Sequence, residues 1–186
     1  MTKKQLRQIF QKKRAALTKK EAASLSGKIT KRLSKIDEFK NSRIFSIYLP
    51  INNEVNTDET IKILIAQDKV VNLPRFFKKA NQYYLVQFDN WQKLETGPFG
   101  IRQPESTKIV DPAKINLAIL PGVAFDKRGV RLGYGKGVFD QLLNNSRAFK
   151  IGLAYDFQIV DVLPKEEHDL VMDLVITDSK SFSAKF

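Results

Sequence analysis

Six short apolar runs alternate with amphipathic stretches, and this alternation constrains the fold more than any other feature of the chain. The runs predict strands, and they read RIFSIYLP, KVVNLP, YYLVQF, INLAILP, FKIGLAYDF and LVMDLVIT. INLAILP contains one polar residue, which is typical of a strand buried on both faces of a parallel sheet. Strands that alternate with helices form a mainly parallel sheet with helices on its faces.

We therefore predict an α/β fold, with one domain over residues 1–186 and a mainly parallel sheet flanked by helices in a Rossmann-like three-layer arrangement. Two basic helices precede this sheet. The first is predicted over TKKQLRQIFQKKRAAL, where apolar residues recur at helical spacing. The second begins at Thr18, because Thr18 and Glu21 form a capping-box pattern.

The positive charge of the chain is concentrated in these two helices. Residues 1–43 carry 14 Lys and Arg against 3 acids, whereas residues 44–186 carry 18 against 17. A solvated helical surface accounts for most of this excess. Attraction of a polyanionic small molecule is the second interpretation, and RNA binding is the third, because no nucleic-acid-binding motif accompanies the charge.

The composition excludes cysteine-dependent sites, and the lengths of the apolar segments bear on the expected location of the protein. The chain has no cysteine, so disulfides, thiolate metal sites and cysteine nucleophiles are excluded. No segment approaches the length needed to span a membrane, and the N-terminal residues do not resemble a secretion signal. We expect a cytoplasmic protein, without a membrane or a specific nucleic acid as partner, that works as a monomer.

The stretch DKRGVRLGYGKGVFD, residues 126–140, holds four of the nine glycines and four basic residues between a predicted strand and a predicted helix. Open α/β sheets bind ligands at this position, and glycines let backbone N–H groups approach an anion. The P-loop motif does not match, because Val130 stands at its first glycine position, and the dinucleotide motif does not match, because its last glycine, Gly137, comes one position early. The stretch therefore predicts a phosphate site of a different type.

Acidic residues near this loop are candidate metal ligands. Asp140 lies on the first turn of the predicted helix, where carboxylate and phosphate oxygens could together hold Mg²⁺. Asp173 interrupts an apolar strand, so it lies either on an exposed face or in a site. The only histidine, His168, is predicted to be a surface residue without a chemical role.

Five separated segments resemble those of one enzyme family, in the same order. LPGVAFDKRGVRLGYGKGVFD resembles the signature of the 5-formyltetrahydrofolate cyclo-ligases, also called methenyltetrahydrofolate synthetases. KKQLR, SIYLPINNEVNT, GPFGIRQP and the closing pair KIGLAYDFQ and HDLVMDLVIT are similar to further family elements. The resemblance implies an ATP- and Mg²⁺-dependent closure of 5-formyltetrahydrofolate to 5,10-methenyltetrahydrofolate. In it, the formyl oxygen attacks the γ-phosphate, the neighbouring nitrogen closes the ring, and phosphate leaves.

The resemblance also implies roles for individual residues. Arg131 and Lys136 are the implied catalytic residues, and Asp140 and Asp173 the implied Mg²⁺ ligands. The implied ATP-binding residues are Lys3, Lys4, Arg7, Arg131, Leu132, Gly133, Tyr134, Gly135, Lys136, Gly137, Val138 and Phe139. The implied folate-binding residues are Leu49, Glu54, Tyr134, Gly135, Lys136, Gly137 and Val138.

Three residues depart from the family pattern. Val138 and Phe139 stand where two tyrosines are usual, and Gln103 stands where a glutamate usually precedes Pro104. These changes leave the phosphate and metal elements intact. They leave open one alternative to an active cyclo-ligase, a nucleotide-binding relative with altered or lost ligase activity. The basic N-terminal segment leaves open another, a basic RNA-binding module.

Overall fold

A seven-stranded sheet in the order β12-β11-β9-β6-β1-β2-β3 runs through the computed structural model, which describes residues 1–167 and 169–184, and only the backbone of Phe99. The helices are α1 Lys3–Ala15, α2 Lys19–Leu33, α3 Asp37–Asn41, α4 Asp58–Ala66 and α5 Val138–Leu142. The strands are β1 Ile44–Ser46, β2 Val70–Phe77, β3 Gln82–Phe88, β4 Leu94–Thr96, β5 Arg102–Pro104, β6 Leu117–Pro121, β7 Ala124–Asp126, β8 Arg131–Leu132, β9 Phe149–Leu153, β10 Ile159–Val160, β11 Leu174–Ile176 and β12 Ser181–Ser183.

The five inner strands of this sheet, from β11 to β2, pair in parallel. Only the edge strands β12 and β3 are antiparallel to their neighbours. A parallel pair needs a long crossover connection, and here helices and loops on both faces supply it. The predicted α/β fold with a mainly parallel, helix-flanked sheet is confirmed.

The central strand β6 shows why the sheet needs cover on both faces. Its residues alternate between two cores: Leu117 and Ile119 pack with helices α2 to α4, and Ala118 and Leu120 pack with α5. All four are fully buried. Burying a leucine or isoleucine side chain contributes roughly 1.5–3 kcal/mol, so the uninterrupted apolar run is what stabilises the middle of the sheet.

Each of the two basic N-terminal helices begins directly after a threonine that caps it, Thr2 for α1 and Thr18 for α2. The Thr2 hydroxyl accepts the N–H of Gln5, and the Thr18 hydroxyl accepts the N–H of Glu21, with the side chain at the third helical position reaching back in both cases. The predicted capping box at Thr18 is therefore confirmed. Each box satisfies donors that the first helical turn leaves unpaired.

Helix α1 packs on a small second sheet of order β10-β7-β8. Leu6 and Phe10 of α1 are buried against Leu132 of this sheet and against Val130, the residue just before β8. Since Lys3 lies one turn before Leu6 on the same helix, this packing carries the N-terminal cations to the glycine loop that follows β8.

Three segments differ from the sequence prediction. Residues 89–111, where turn-forming residues such as those in TGPFGIRQPES predict an ordered surface loop, contain the β4–β5 hairpin around a short 3₁₀ turn. Residues 126–140 are partly strand, because β7 and β8 pair around Gly129. Asp173 does not interrupt a strand; it precedes β11, and its carboxylate accepts the backbone N–H of Lys150 at 2.7 Å. His168 lies outside the described residues.

Helices long and apolar enough to cross a membrane are absent from the described part of the chain.

Candidate active site

A cavity of about 650 Å³ opens at the carboxyl ends of the parallel strands, where β1 and β6 lead into their loops. Open α/β sheets bind ligands at this edge. The cavity brings together segments that are far apart in sequence: the start of α1, the loop after β1, the β4–β5 hairpin and the glycine loop. The predicted residues that line it are Lys3, Arg7, Leu49, Glu54, Arg131, Gly133, Tyr134, Gly135, Lys136, Gly137, Val138, Phe139 and Asp140.

Asp126, at the end of β7, fixes the hairpin that leads into the glycine loop. Its fully buried carboxylate accepts the backbone N–H groups of Arg128, Val130 and Leu163 at 2.9, 3.0 and 3.0 Å. The Arg128 guanidinium lies 2.7 Å from the same carboxylate and compensates its charge. Buried carboxylates persist when they are paired and hydrogen-bonded in this way. Asp126 therefore has a structural role.

Two glycines set the backbone of the loop. Gly135 has φ +96°, and a Cβ added there would lie 3.2 Å from the guanidinium carbon of Arg7. Gly137 has φ +62° and stands directly before α5. Side-chain-bearing residues rarely adopt these conformations, so the loop conformation depends on glycine at both positions.

Helix α5 begins at the predicted place but is only five residues long, from Val138 to Leu142. Its dipole therefore adds less to an anion site than a longer helix would. Asp140 lies on this helix, and its two carboxylate oxygens are 2.9 and 2.8 Å from Nη2 of Arg131. The Leu170 N–H also donates to Asp140, at 3.2 Å.

The N-terminal cations reach the loop from α1. Nε of Arg7 donates to the carbonyl oxygen of Gly133 at 2.8 Å, and the ammonium of Lys3 lies 3.0 Å from Glu166 and 2.7 Å from Asp169. Burial acts to lower the pKa of Lys3, but the hydrogen bonds from Lys3 to the two acids outweigh it and raise the pKa. Lys4 is exposed and does not line the cavity.

Glu54, in the loop after β1, lies in the wall of the cavity with a relative exposure of 6%. Burial raises the pKa of its carboxyl to about 7, although Arg14, the Ile51 N–H and the Tyr134 hydroxyl each act to lower it. Burial likewise raises the pKa of Tyr134 to about 12, so its hydroxyl stays protonated. Glu54 can therefore change its charge near neutral pH.

Arg14 is the main residue that sequence reasoning missed. It is 2% exposed, its Nε donates to the Asn52 carbonyl oxygen at 2.8 Å, and its Nη2 donates to the Tyr134 hydroxyl. Nη1 lies 4.0 Å from Oε1 of Glu54. Arg14 therefore links α1 to the loop after β1 and to the glycine loop. A weak sequence signal existed, since Arg14 is spaced seven residues from Arg7 and shares its side of the helix.

The three departures from the family pattern all lie in the cavity wall. Val138 and Phe139 present apolar side chains, and the Phe139 ring centroid is 6.0 Å from the guanidinium carbon of Arg131. Gln103 is buried, accepts the Phe76 N–H at 3.0 Å and donates to Glu95 at 2.7 Å. An amide can do both, because it has a donor and an acceptor end.

Two further predicted residues do not reach the cavity. Leu132 is 2% exposed and packs in the core beneath α1. Asp173 is absent from the lining, and its carboxylate is hydrogen-bonded to β9. Among the residues that the structure describes, no group of three or more acids and histidines is arranged to hold a metal ion.

Comparison with known proteins identifies the family. The model of the 5-formyltetrahydrofolate cyclo-ligase family matches residues 1–178. The mouse (Mus musculus) 5-formyltetrahydrofolate cyclo-ligase is 29% identical, over 97% of this chain and 96% of its own, and the Mycoplasma pneumoniae enzyme of the same name is 32% identical, over 96% and 99%. The solved structure of Aquifex aeolicus 5,10-methenyltetrahydrofolate synthetase superposes with a TM-score of 0.88 at 33% identity, covering 100% of this chain and 94% of that one. The predicted resemblance is confirmed, and the chain belongs to the 5-formyltetrahydrofolate cyclo-ligase family of enzymes.

Proposed function

We propose that this chain catalyses the ATP- and Mg²⁺-dependent cyclisation of 5-formyltetrahydrofolate to 5,10-methenyltetrahydrofolate, with release of ADP and phosphate. One observation carries the proposal. A single cavity joins a cationic glycine loop, Gly133 to Gly137, with an apolar wall that contains the buried acid Glu54. The first part suits a triphosphate, and the second suits a flat ring system with N–H donors.

The cationic part of the cavity supports phosphoryl transfer. Lys3, Arg7, Arg131 and Lys136 all line it, together with the backbone of the glycine loop. In the proposed reaction, the formyl oxygen forms a bond to the γ-phosphorus while the bond to the leaving ADP oxygen breaks. This step needs positioning and neutralisation of charge, and it needs no protein nucleophile. Arg131 and Lys136 are the proposed catalytic residues.

The ion pairs within the cavity support the same interpretation. Lys3 is paired with Glu166 and Asp169, and Arg131 is paired with Asp140. The side chain of Arg131 is only 5% exposed, so the pair lies where charges are weakly screened. Phosphate oxygens can replace these carboxylates around the cations, since guanidinium and ammonium groups bind both kinds of anion.

The residues present suit a Mg²⁺ ion that arrives with ATP. Mg²⁺ is usually held by one or two carboxylates together with phosphate oxygens and water, so a group of three acids is not required. Asp140 lines the cavity and would supply one carboxylate. The bound ion would neutralise developing charge on the phosphates. Asp173 remains a predicted ligand, although its carboxylate is bonded to the Lys150 N–H.

The apolar part of the cavity supports folate binding. Leu49, Leu73, Pro74 and Tyr83 line it beside Glu54. An ionised Glu54 would accept hydrogen bonds from the pterin ring, and the apolar side chains would cover the faces of the ring. After phosphorylation, the neighbouring nitrogen bonds to the formyl carbon, the carbon–oxygen bond to phosphate breaks, and the nitrogen loses its proton.

The test is conversion of 5-formyltetrahydrofolate by the purified chain with ATP and Mg²⁺, followed by the absorbance of the methenyl product. We expect turnover that requires all three components. Lys136→Ala should reduce kcat/KM by about 10²-fold or more. Lys127→Ala is the matched control, because Lys127 is 62% exposed and lies outside the cavity. Absence of product from the folded chain would overturn the proposal.

A nucleotide-binding relative without ligase activity is the second candidate, and one observation favours it. Val138 and Phe139 replace two tyrosine hydroxyls in the cavity wall. This candidate predicts that calorimetry detects ATP binding while no methenyl product forms. Restoration of turnover by Val138→Tyr and Phe139→Tyr together would attribute the loss to these hydroxyls.

A further inference from the structure

The sheet order arranges the cavity wall as a row. Arg131 and the glycine loop follow β6, Glu54 follows β1, and Pro74 and Tyr83 belong to β2 and β3. These strands are consecutive neighbours in the sheet, in the order β6-β1-β2-β3. Neighbouring strands lie about 4.8 Å apart, so the two ends of the row are separated by roughly 14 Å.

Arg102 stands at the end of this row that is far from the phosphate loop. It belongs to β5, which packs beside β2 and β3, and it lines the cavity. The other described Lys and Arg side chains in the lining come from α1, from β8 and from the glycine loop, whereas Arg102 is alone on the β4–β5 hairpin. The cavity therefore has a second cationic position, distant from the proposed triphosphate site.

The surroundings of Arg102 leave its guanidinium accessible. The side chain is 45% exposed, and Nη2 lies 3.2 and 3.4 Å from the two carboxylate oxygens of Asp58. Within the described residues, its Nε and Nη1 make no hydrogen bond. Pro98 and Ile101 line the cavity beside it, on the same hairpin. An apolar part of the cavity wall thus ends at Arg102, whose Nε and Nη1 remain available as donors.

We propose that Arg102 binds the carboxylates of the glutamate tail of the folate substrate, an inference that rests on the proposed function. A folate consists of a pterin, an aminobenzoyl ring and a glutamate, in that order. With the pterin against Glu54, the ring lies along Pro98 and Ile101, and the tail reaches the mouth of the cavity at Arg102. Guanidinium groups bind carboxylates through two parallel hydrogen bonds, which a lysine does not reproduce.

Substitutions of Asp58 and Arg102 are expected to change binding of the glutamate tail in opposite directions, which tests the inference. Its carboxylate, 30% exposed, holds Arg102 at the mouth and competes with any other anion there. Removing the charge of Asp58 should strengthen binding of the tail, whereas removing the charge of Arg102 should weaken it. A merely structural ion pair would give the same sign for both changes, because either change breaks the pair.

The experiment compares two substrates in steady-state assays. One is 5-formyltetrahydrofolate, and the other is its analogue with a neutral carboxamide in place of the glutamate. For 5-formyltetrahydrofolate, Arg102→Gln should raise KM about tenfold and Asp58→Asn should lower it, with kcat within about twofold in both cases. For the carboxamide, neither change should alter KM. Arg147→Gln, at an exposed position outside the cavity, is the matched control.

Three outcomes separate this inference from the proposed function. An unchanged KM for 5-formyltetrahydrofolate in Arg102→Gln overturns the inference, and so does an equal rise in KM for both substrates. If the wild-type chain converts neither substrate, the proposed function fails, and the inference is then decided by calorimetry of 5-formyltetrahydrofolate binding to the same variants. Equal affinity of wild type and Arg102→Gln would overturn it there. Circular dichroism establishes that each variant is folded.

Discussion

Nη2 of Arg131 lies 2.9 and 2.8 Å from the two carboxylate oxygens of Asp140. The proposed triphosphate-binding cation and the proposed Mg²⁺ ligand are thus paired with each other. A complex of Mg²⁺ with ATP offers each of them a new partner of the required sign, since Arg131 can bind phosphate and Asp140 can bind the metal. In the proposed reaction, binding of this complex would therefore exchange one set of ion pairs for another and would leave no buried charge without compensation.

Asp140→Asn should raise the Mg²⁺ concentration required for half-maximal activity by at least about tenfold. The amide retains the shape of the side chain but loses the negative charge that binds the metal. Turnover is measured by product absorbance while Mg²⁺ is titrated at fixed ATP. Asp161→Asn is the control, because Asp161 is 97% exposed and outside the cavity. A Mg²⁺ titration that does not change in Asp140→Asn would exclude Asp140 as a ligand.

Protonation of Glu54 should lower kcat/KM at acidic pH. Burial raises the pKa of Glu54 from 4.5 to about 7, and Arg14, Tyr134 and Arg131 face it and act to lower that value. If the ionised form binds the pterin, kcat/KM falls roughly tenfold per pH unit below this pKa. Glu54→Gln should have low activity without this limb. An identical acidic limb in the variant would assign it to another group.

The stability of the fold should change with pH in the opposite direction. The pKa of Glu54 is higher in the folded state than in the unfolded chain, so its protonated form favours folding. This contribution is fully present below pH 4.5 and is lost as pH rises to about 7. It amounts to about 3 kcal/mol at most. Urea unfolding of wild type and Glu54→Gln at pH 5 and pH 7.5 measures it, and parallel changes in the two proteins would contradict it.

Local sequence patterns predicted those features of the fold that depend on residues close together in the sequence. The apolar run of β6 and the capping box at Thr18 are of this kind, and so is the glycine loop, in which Gly135 and Gly137 have positive φ. Arg14 could not be assigned in this way. Its partners lie 38 to 120 residues away along the chain, so only the packing of α1 against the small sheet brings them together.

Asp173 and residues 89–111 mark the other limit of sequence reasoning. An acid within an apolar run predicted a strand with this acid either on an exposed face or in a site, yet Asp173 lies before β11, and its carboxylate accepts the backbone N–H of Lys150 in β9. In residues 89–111, Gly and Pro indicated turns correctly but hid the β4–β5 pairing. Strands of three residues are too short for an alternating pattern to be recognised.

Arg14→Lys should weaken both stability and substrate binding. The ammonium can retain one of the contacts of the guanidinium, so the Tyr134 hydroxyl or the Asn52 carbonyl oxygen loses its partner. We expect the free energy of unfolding to fall by about 2–4 kcal/mol, measured by urea denaturation. KM for the folate should also rise. Arg32→Lys is the control, because Arg32 is exposed and makes one hydrogen bond, to the Asp178 carbonyl oxygen. Equal effects of the two changes would exclude a special role for Arg14.

Gln103→Glu, the reversion to the usual family residue, should destabilise this chain at neutral pH. The Gln103 amide donates to Glu95 at 2.7 Å, so a carboxylate in its place would face a second carboxylate. Arg75, 3.0 Å from Glu95, can compensate one of the two charges. Repulsion raises the pKa of the new carboxyl above its unfolded value, so the penalty, about 1–3 kcal/mol, appears as pH rises above 5 and is absent below pH 4. Gln103→Glu with Glu95→Gln should recover the stability, and equal unfolding midpoints of wild type and the single variant at pH 7 would contradict this account.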